Sequence, residues 1–188
     1  MTSKGTVFVV SGPSGVGKDT ILEGVLNKRP EIEFSRSCIT RPMRPGETAD
    51  GKYRFITKQE FTLMIENDQL LEYNEFVGNL YGTPRGPVED CVNRGVSIII
   101  EVDVNGAASI KAKLPECVRI FIAPPSIEAL KQRLCGRKSD SAEAVEKRLN
   151  TAIEELKHSD NYDYVIVNDN LDKAIEQFCE IVDRINSK

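Results

Sequence analysis

Short, mostly apolar runs alternate along this chain with segments whose apolar residues recur every three or four positions. Thr6 to Val10, Ser97 to Val102, Val118 to Ala123 and Tyr164 to Val167 have the composition of strands buried on both faces. Behind the first of them, Ile21, Leu22, Val25 and Leu26 fall on one face of a helix, and Val145, Leu149, Ile153 and Leu156 do so in a longer helix from about Ala142 to His158. Thr57 with Glu60 three residues on is a capping-box pattern, opening a helix that carries Phe61, Met64 and Ile65, while Ser126 is placed to cap Ile127 to Leu134. A terminal helix repeats the stripe with Leu171, Ile175, Phe178, Ile181 and Val182. This alternation runs without linker, repeat or low-complexity segment, and it predicts an α/β fold on a parallel sheet.

Phe34 to Gly95 breaks the rhythm. It carries short alternating stretches, Tyr53 to Ile56 and Leu71 to Phe76, among turn residues, and reads as an inserted subdomain. With 188 residues the chain has room for one well-buried domain and a small insertion, not for two full domains.

The junction between the first strand and first helix holds the clearest chemistry. Gly12-Pro13-Ser14-Gly15-Val16-Gly17-Lys18-Asp19-Thr20 has the glycines that let backbone amides turn inward around a polyphosphate, and a lysine to reach its outer phosphates. A strand before it and a helix after it are the context that chemistry requires. Asp19 stands where the pattern has Ser or Thr to hold magnesium, with Thr20 one step later.

Two cationic clusters gain meaning from that loop. The inserted region opens with Ser37, Thr40, Arg41, Arg44, Lys52 and Arg54 against only Glu47 and Asp50, enough positive charge to hold a second phosphate. Taken alone, such a cluster is more often solvated surface. Arg133, Arg137, Lys138 and Arg148 flank the stretch Gly136 to Ala142 between two helices, where arginines on a movable segment can close over bound phosphates. The plainer reading pairs Arg133 and Arg148 with Glu128, Glu143 or Glu146 on helix surfaces.

Composition narrows the field. Apolar residues make up 40% and charged residues 29%, as in an ordinary globular protein. A net charge of -4 disfavours nonspecific nucleic-acid binding, so phosphate-holding cations must be concentrated locally. The N-terminus lacks a charged start followed by a long apolar core, and no run approaches the ~20 apolar residues of a membrane span, which points to a cytoplasmic protein with no membrane partner. The five cysteines, odd in number and widely spaced, suit reduced core thiols better than a disulfide or zinc framework.

Taken together, Gly12 to Thr20, Ser37 to Arg44, Pro45-Gly46-Glu47, Asn79-Leu80-Tyr81-Gly82-Thr83, Glu101 to Gly106, Pro124-Pro125-Ser126 and Val167-Asn168-Asp169 resemble guanylate kinase over nearly the whole chain. The resemblance implies a P-loop core of three layers around a parallel sheet (about 1–33, 96–125 and 159–188), a GMP-binding subdomain (about 34–95) and a small helical lid (about 126–158). It implies that Gly12 to Thr20 bind ATP, that Ser37, Arg41, Arg44, Tyr53 and Tyr81 hold the GMP phosphate, and that Glu72, Thr83 and Asp103 read guanine. Carboxylates suit the N1-H and 2-amino donors of that base, which adenine lacks. MgATP and GMP would give ADP and GDP, and dGMP is a natural second acceptor. A phosphate acceptor, with its second pKa near ~6, needs no general base, so Lys18, Arg41, Arg133, Arg137 and Arg148 would act by offsetting repulsion between polyanions. His158 is then a surface or helix-end residue.

The pattern is departed from at three places. Asp19 replaces a serine, and with Glu101 it forms a candidate magnesium pair. Lys138-Ser139 stands where the lid usually has Gly-Thr, and Pro84 and Pro87 follow Tyr-Gly-Thr, predicting a helix from near Pro87 to Arg94. Three alternatives stand beside it: a catalytically silent guanylate-kinase-like module that binds protein ligands, a regulatory NTPase switch, and a kinase for another nucleoside monophosphate. The retained glycines, loop lysine and lid arginines disfavour the first, Arg41, Arg44 and Glu72 together disfavour the second, and the third is the nearer rival among enzymes.

Overall fold

Alternate residues of the first strand, β1 (Val7–Ser11), serve opposite layers: Phe8 and Val10 pack into one core cluster, Val7 and Val9 into another. That strand lies at the centre of a five-stranded, wholly parallel sheet with β2 (Glu33–Phe34), β7 (Ile98–Glu101), β8 (Val118–Ala123) and β9 (Tyr164–Val167), in the order β2-β7-β1-β8-β9. The computed structural model describes residues 4–135 and 142–187. On one face α1 (Lys18–Lys28) and α7 (Leu171–Asn186) bury Ile21, Val25, Phe178 and Val182; on the other α3 (Arg85–Asn93) and α4 (Val104–Lys113) bury Val88, Cys91 and Ile110. The result is the parallel α/β sheet that the apolar runs predict, covered on both faces to give three layers.

A second sheet rises from the same ends of these strands. It contains β3 (Ser37–Ile39), β4 (Tyr53–Phe55), β5 (Leu70–Phe76) and β6 (Asn79–Pro84) in the order β4-β3-β6-β5, with β3 and β4 parallel and the other pairs antiparallel. Behind it α2 (Lys58–Glu66) sets Phe61 against Cys38 and Leu70. The Thr57–Glu60 capping box closes in both directions: Glu60 N donates to Thr57 Oγ1 at 3.1 Å, and Thr57 N donates to Glu60 Oε2 at 2.7 Å. The chain then leaves through α5 (Ile127–Cys135) and α6 (Ala142–Leu156), whose contact buries Leu130, Leu134 and Ala152 with Val145 and Leu149 packed against them. Ser126 Oγ accepts from Ala129 N at 3.0 Å, as its capping role requires.

Several expectations shift. The first strand runs one residue later than Thr6 to Val10, and Ser97 and Val102 flank β7 rather than belong to it. The helix expected from Pro87 begins at Arg85, with Pro84 in extended conformation before it. Pro87 is then the third helical residue, where a missing N-H costs nothing because first-turn amides have no helical partner. Leu171 is 39% exposed at the start of α7, off the buried stripe. Four cysteines are buried and Cys135 is exposed, all as free thiols. Among the described residues, no helix is long and apolar enough to cross a membrane.

Phe178 is fully buried between α1 and the sheet. Phe178→Ala should lower unfolding free energy by about 3–5 kcal/mol, read from the denaturant midpoint, and a loss below about 1 kcal/mol would contradict this packing.

Candidate active site

The loop after β1 is fixed from both sides. Gly12 leaves the strand with φ 152°, and a Cβ there would stand 2.2 Å from the Ile122 carbonyl oxygen, so only glycine fits against β8. Gly17, at φ 95°, precedes α1, and a Cβ on it would lie 2.7 Å from Asn168 Nδ2. That amide donates to the Val16 carbonyl at 2.8 Å, tying the loop to the chain just past β9. An anion at the start of α1 would meet its unpaired amides and the positive end of its dipole.

Lys18 folds back over this loop. Its Nζ donates to the carbonyls of Gly12 at 2.6 Å and Pro13 at 3.2 Å. Burial lowers its pKa, opposed by the carboxylates of Glu101, Glu155 and Asp19. Polyphosphate oxygens can replace the loop carbonyls as acceptors for this ammonium. Two arginines bind the loop from the helical pair: Arg133 donates to Val16 O at 3.2 Å and to Asn168 O at 2.8 Å, and Arg148 donates to Ser14 Oγ at 2.9 Å. Both arginines of the helical pair therefore reach the loop. Arg137 and Lys138 lie outside the described residues.

Beside the loop is a cavity of about 350 Å³. Ser37, Arg41, Arg44, Tyr53 and Tyr81 line it, as do Glu72 and Asp103. Seven of the eight residues that the resemblance assigns to GMP therefore converge from β3, β4, β5, β6, the β3–β4 connection and the end of β7. The eighth, Thr83, stands behind: fully buried, it donates its hydroxyl to Glu72 Oε1 at 2.7 Å. Glu72 is 8% exposed, and burial raises its carboxyl above the usual range despite that bond. Gly82, on the neighbouring strand, leaves no room for a Cβ, which would lie 2.9 Å from Phe61 Cζ and 3.0 Å from the Glu72 carbonyl. Asp103 caps α4, with Oδ1 accepting from Gly106 N at 2.7 Å and Oδ2 accepting from Asn74 Nδ2 at 2.8 Å. Its cap bond fixes the carboxylate where it can face a base.

Arg41 is held before any phosphate arrives. Glu47 takes both of its terminal nitrogens, at 2.6 and 2.5 Å, and also accepts from Arg44 N at 2.7 Å. The guanidinium lies 5.4 Å from the Tyr53 ring centre and 5.6 Å from that of Phe55. The Arg41 side chain, with the Arg44 backbone amide, pulls the Glu47 carboxyl down to about 2, so the pair stays charged through the whole neutral range.

The magnesium pair expected of Asp19 and Glu101 has another occupant. Lys52 Nζ is paired with Asp19 Oδ1 and lies 2.5 Å from Glu101 Oε2. Oxygen donors of this kind suit magnesium, but an ammonium already stands between them, and the two do not fit a protein-held metal as arranged. Among the described residues, no three His, Cys, Asp or Glu side chains cluster to hold an ion.

Sequence reasoning assigned no site role to Glu47, Asn74 or Asn168, and left Lys52 as one member of a cationic patch. Glu47 was visible as an acid among arginines. Asn168 lay inside a motif of the resemblance, but its bond to Val16 spans 152 residues and has no local signal.

The guanylate kinase family model matches residues 4–185. Similar curated proteins include the guanylate kinase of Symbiobacterium thermophilum, 46% identical over 179 residues that cover 95% of this chain and 85% of that protein. That of Synechocystis sp. is 45% identical over 179 residues, covering 95% and 94%. The solved guanylate kinase structure from Anaplasma phagocytophilum superposes with a TM-score of 0.78 at 34% identity, covering 99% of this chain and 88% of that one. With likeness in sequence and fold running from end to end, this chain belongs to the guanylate kinase family.

Proposed function

We propose that this chain transfers the terminal phosphoryl group of ATP to GMP, giving ADP and GDP, with dGMP as a second acceptor. The observation that carries this reading is the adjacency of a lysine-bearing phosphate loop to a cavity with two carboxylates at its base-reading wall and two arginines at its phosphate wall. In this reading the nucleotide donor, which brings Mg2+ with its phosphates, lies on Gly12 to Thr20. Its acceptor lies in the cavity, with its phosphate toward Arg41, Arg44, Ser37, Tyr53 and Tyr81.

Each residue then has a physical task. Lys18 exchanges loop carbonyls for donor phosphate oxygens and follows charge as it moves toward the leaving group. Arg41, locked by Glu47 and two aromatic rings, loses little freedom on meeting a phosphate, so it orients the acceptor for in-line attack. Arg133 and Arg148 keep the loop in shape from the helical pair, and Arg137 is the remaining cation assigned to closure. Glu72 accepts from the guanine edge, its other oxygen committed to Thr83, and Asp103 accepts beside it. Adenine would offer no donor to the second oxygen of the buried Glu72, a penalty large enough for discrimination by several orders of magnitude. The three-part division, with an acceptor subdomain around 34–95 and a lid around 126–158, belongs to the same proposal. A protein-binding module without catalysis would have no use for Lys18 on its loop.

Four outcomes test the reading. With MgATP and GMP, dGMP, AMP, UMP or dTMP in turn, ADP should form rapidly only with the guanine nucleotides; absence of GMP-dependent ADP would remove the proposal. Lys18→Ala should lower kcat by about a hundredfold or more, and near-normal turnover would mean that the loop is not the donor site. Glu72→Gln should raise the KM for GMP far more than that for ATP. Because burial holds the Glu72 carboxyl above its unfolded value, ionisation destabilises the fold as pH rises past the ordinary glutamate range. Glu72→Gln should therefore melt at an equal or higher temperature than wild type at pH 8, with the advantage vanishing near pH 4; the reverse trend would contradict the buried carboxylate.

A further inference from the structure

Lys52 stands immediately before Tyr53, the first residue of the edge strand β4, and its ammonium reaches away from that sheet to meet the first turn of α1 and the end of β7. The pair to Asp19 spans 33 residues and bridges the second sheet to the phosphate loop's own helix. Glu101 is 12% exposed at its side chain, and Lys52 is 32% exposed, so one end of this bridge is largely shielded from water. Burial works against the Lys52 charge, but the Glu101 carboxylate and the bonds to Asp19 and Glu101 outweigh it and raise its pKa. Glu101 faces the acceptor cavity as well, and Asp19 and Lys52 share a neighbouring hollow with Arg41 and Arg44. Lys52 is therefore at the seam where a donor on the loop and an acceptor in the cavity would meet.

We propose that Asp19 and Glu101 form a lysine-holding pair, and that Lys52 is a positioning residue, a fixed cation that ties the acceptor sheet to the phosphate loop where a protein-held metal would otherwise sit. The aspartate that departs from the loop pattern then has a use: a serine at position 19 could not hold an ammonium with a full opposite charge. Magnesium reaches the site with nucleotide phosphates rather than on these two carboxylates. The inference rests on the loop being the donor site.

Manganese titration of the nucleotide-free protein, followed by the electron paramagnetic resonance of the free ion, tests this without turnover. Wild type should bind Mn2+ no better than Asp19→Asn does. Lys52→Met, which leaves two carboxylates facing each other, should bind it roughly tenfold tighter or more, and adding Asp19→Asn should abolish the gain. Lys52→Gln serves if the methionine variant does not fold. A stoichiometric Mn2+ site in wild type that Asp19→Asn removes, or no gain in either lysine variant, would overturn the proposal. In steady state, Asp19→Asn and Lys52→Met should each raise the KM for GMP roughly fivefold with the KM for MgATP within about twofold, and Lys52→Arg should restore it. A raised magnesium requirement in Asp19→Asn at unchanged GMP KM would identify a metal ligand instead. Failure of GMP to act as a substrate for wild type would sink the functional reading, yet leave the manganese result to stand or fall alone.

Discussion

Two polyanions must be brought into contact by a chain whose own net charge is -4, and the structure is arranged around that constraint. Its answer is to hold cations on protein oxygens in advance. Lys18 rests on the carbonyls of Gly12 and Pro13, Arg41 on Glu47, Lys52 on Asp19 and Glu101, Arg133 on Val16 and Asn168, and Arg148 on Ser14. Where the cation is buried, as Arg41 is, leaving it without such a partner would cost several kcal/mol or more. Orientation follows from the same bonds. A side chain already fixed by one acceptor loses less entropy when a phosphate arrives, and the reacting groups meet in a narrower range of geometries.

The fold supplies the positions. Parallel strands end together, so the loop after β1, Glu101 at the end of β7 and Asn168 after β9 gather on one edge although they are far apart in sequence. Close packing keeps them there: Gly12 lies against β8 with no space for a methyl group, and Gly17 lies close to the Asn168 side chain. The second sheet faces this edge, and the Lys52 bridge spans the gap between its edge strand and the loop.

Much of this was legible because it is local. The β8 and β9 runs match their strands residue for residue, the Thr57 capping box needs only two positions three apart, and the loop signature lies within nine consecutive residues. Glu72 was chosen through resemblance, but its burial was not readable from β5, where alternation would equally well face it to solvent. Its neighbours Thr83 and Gly82 come from the next strand, and register across that pair decides the matter. The surroundings of Asp19 were hidden for a similar reason. Its carboxylate and that of Glu101 suit a metal in isolation, and only the approach of Lys52 from another sheet reveals their partner. The helix after Thr83 began before Pro87 because a proline in a first turn sets an upper limit on where a helix starts, not its first residue.

In the proposed function the cavity lined by the buried Glu72 would recognise guanine through that carboxylate. Isothermal titration of GMP and of AMP into the nucleotide-free protein measures that recognition with no dependence on turnover. One GMP should bind per chain at least about a hundredfold more tightly than AMP, with most of the difference lost in Glu72→Gln. Equal affinity for the two nucleotides, or an undiminished preference for GMP in Glu72→Gln, would contradict it.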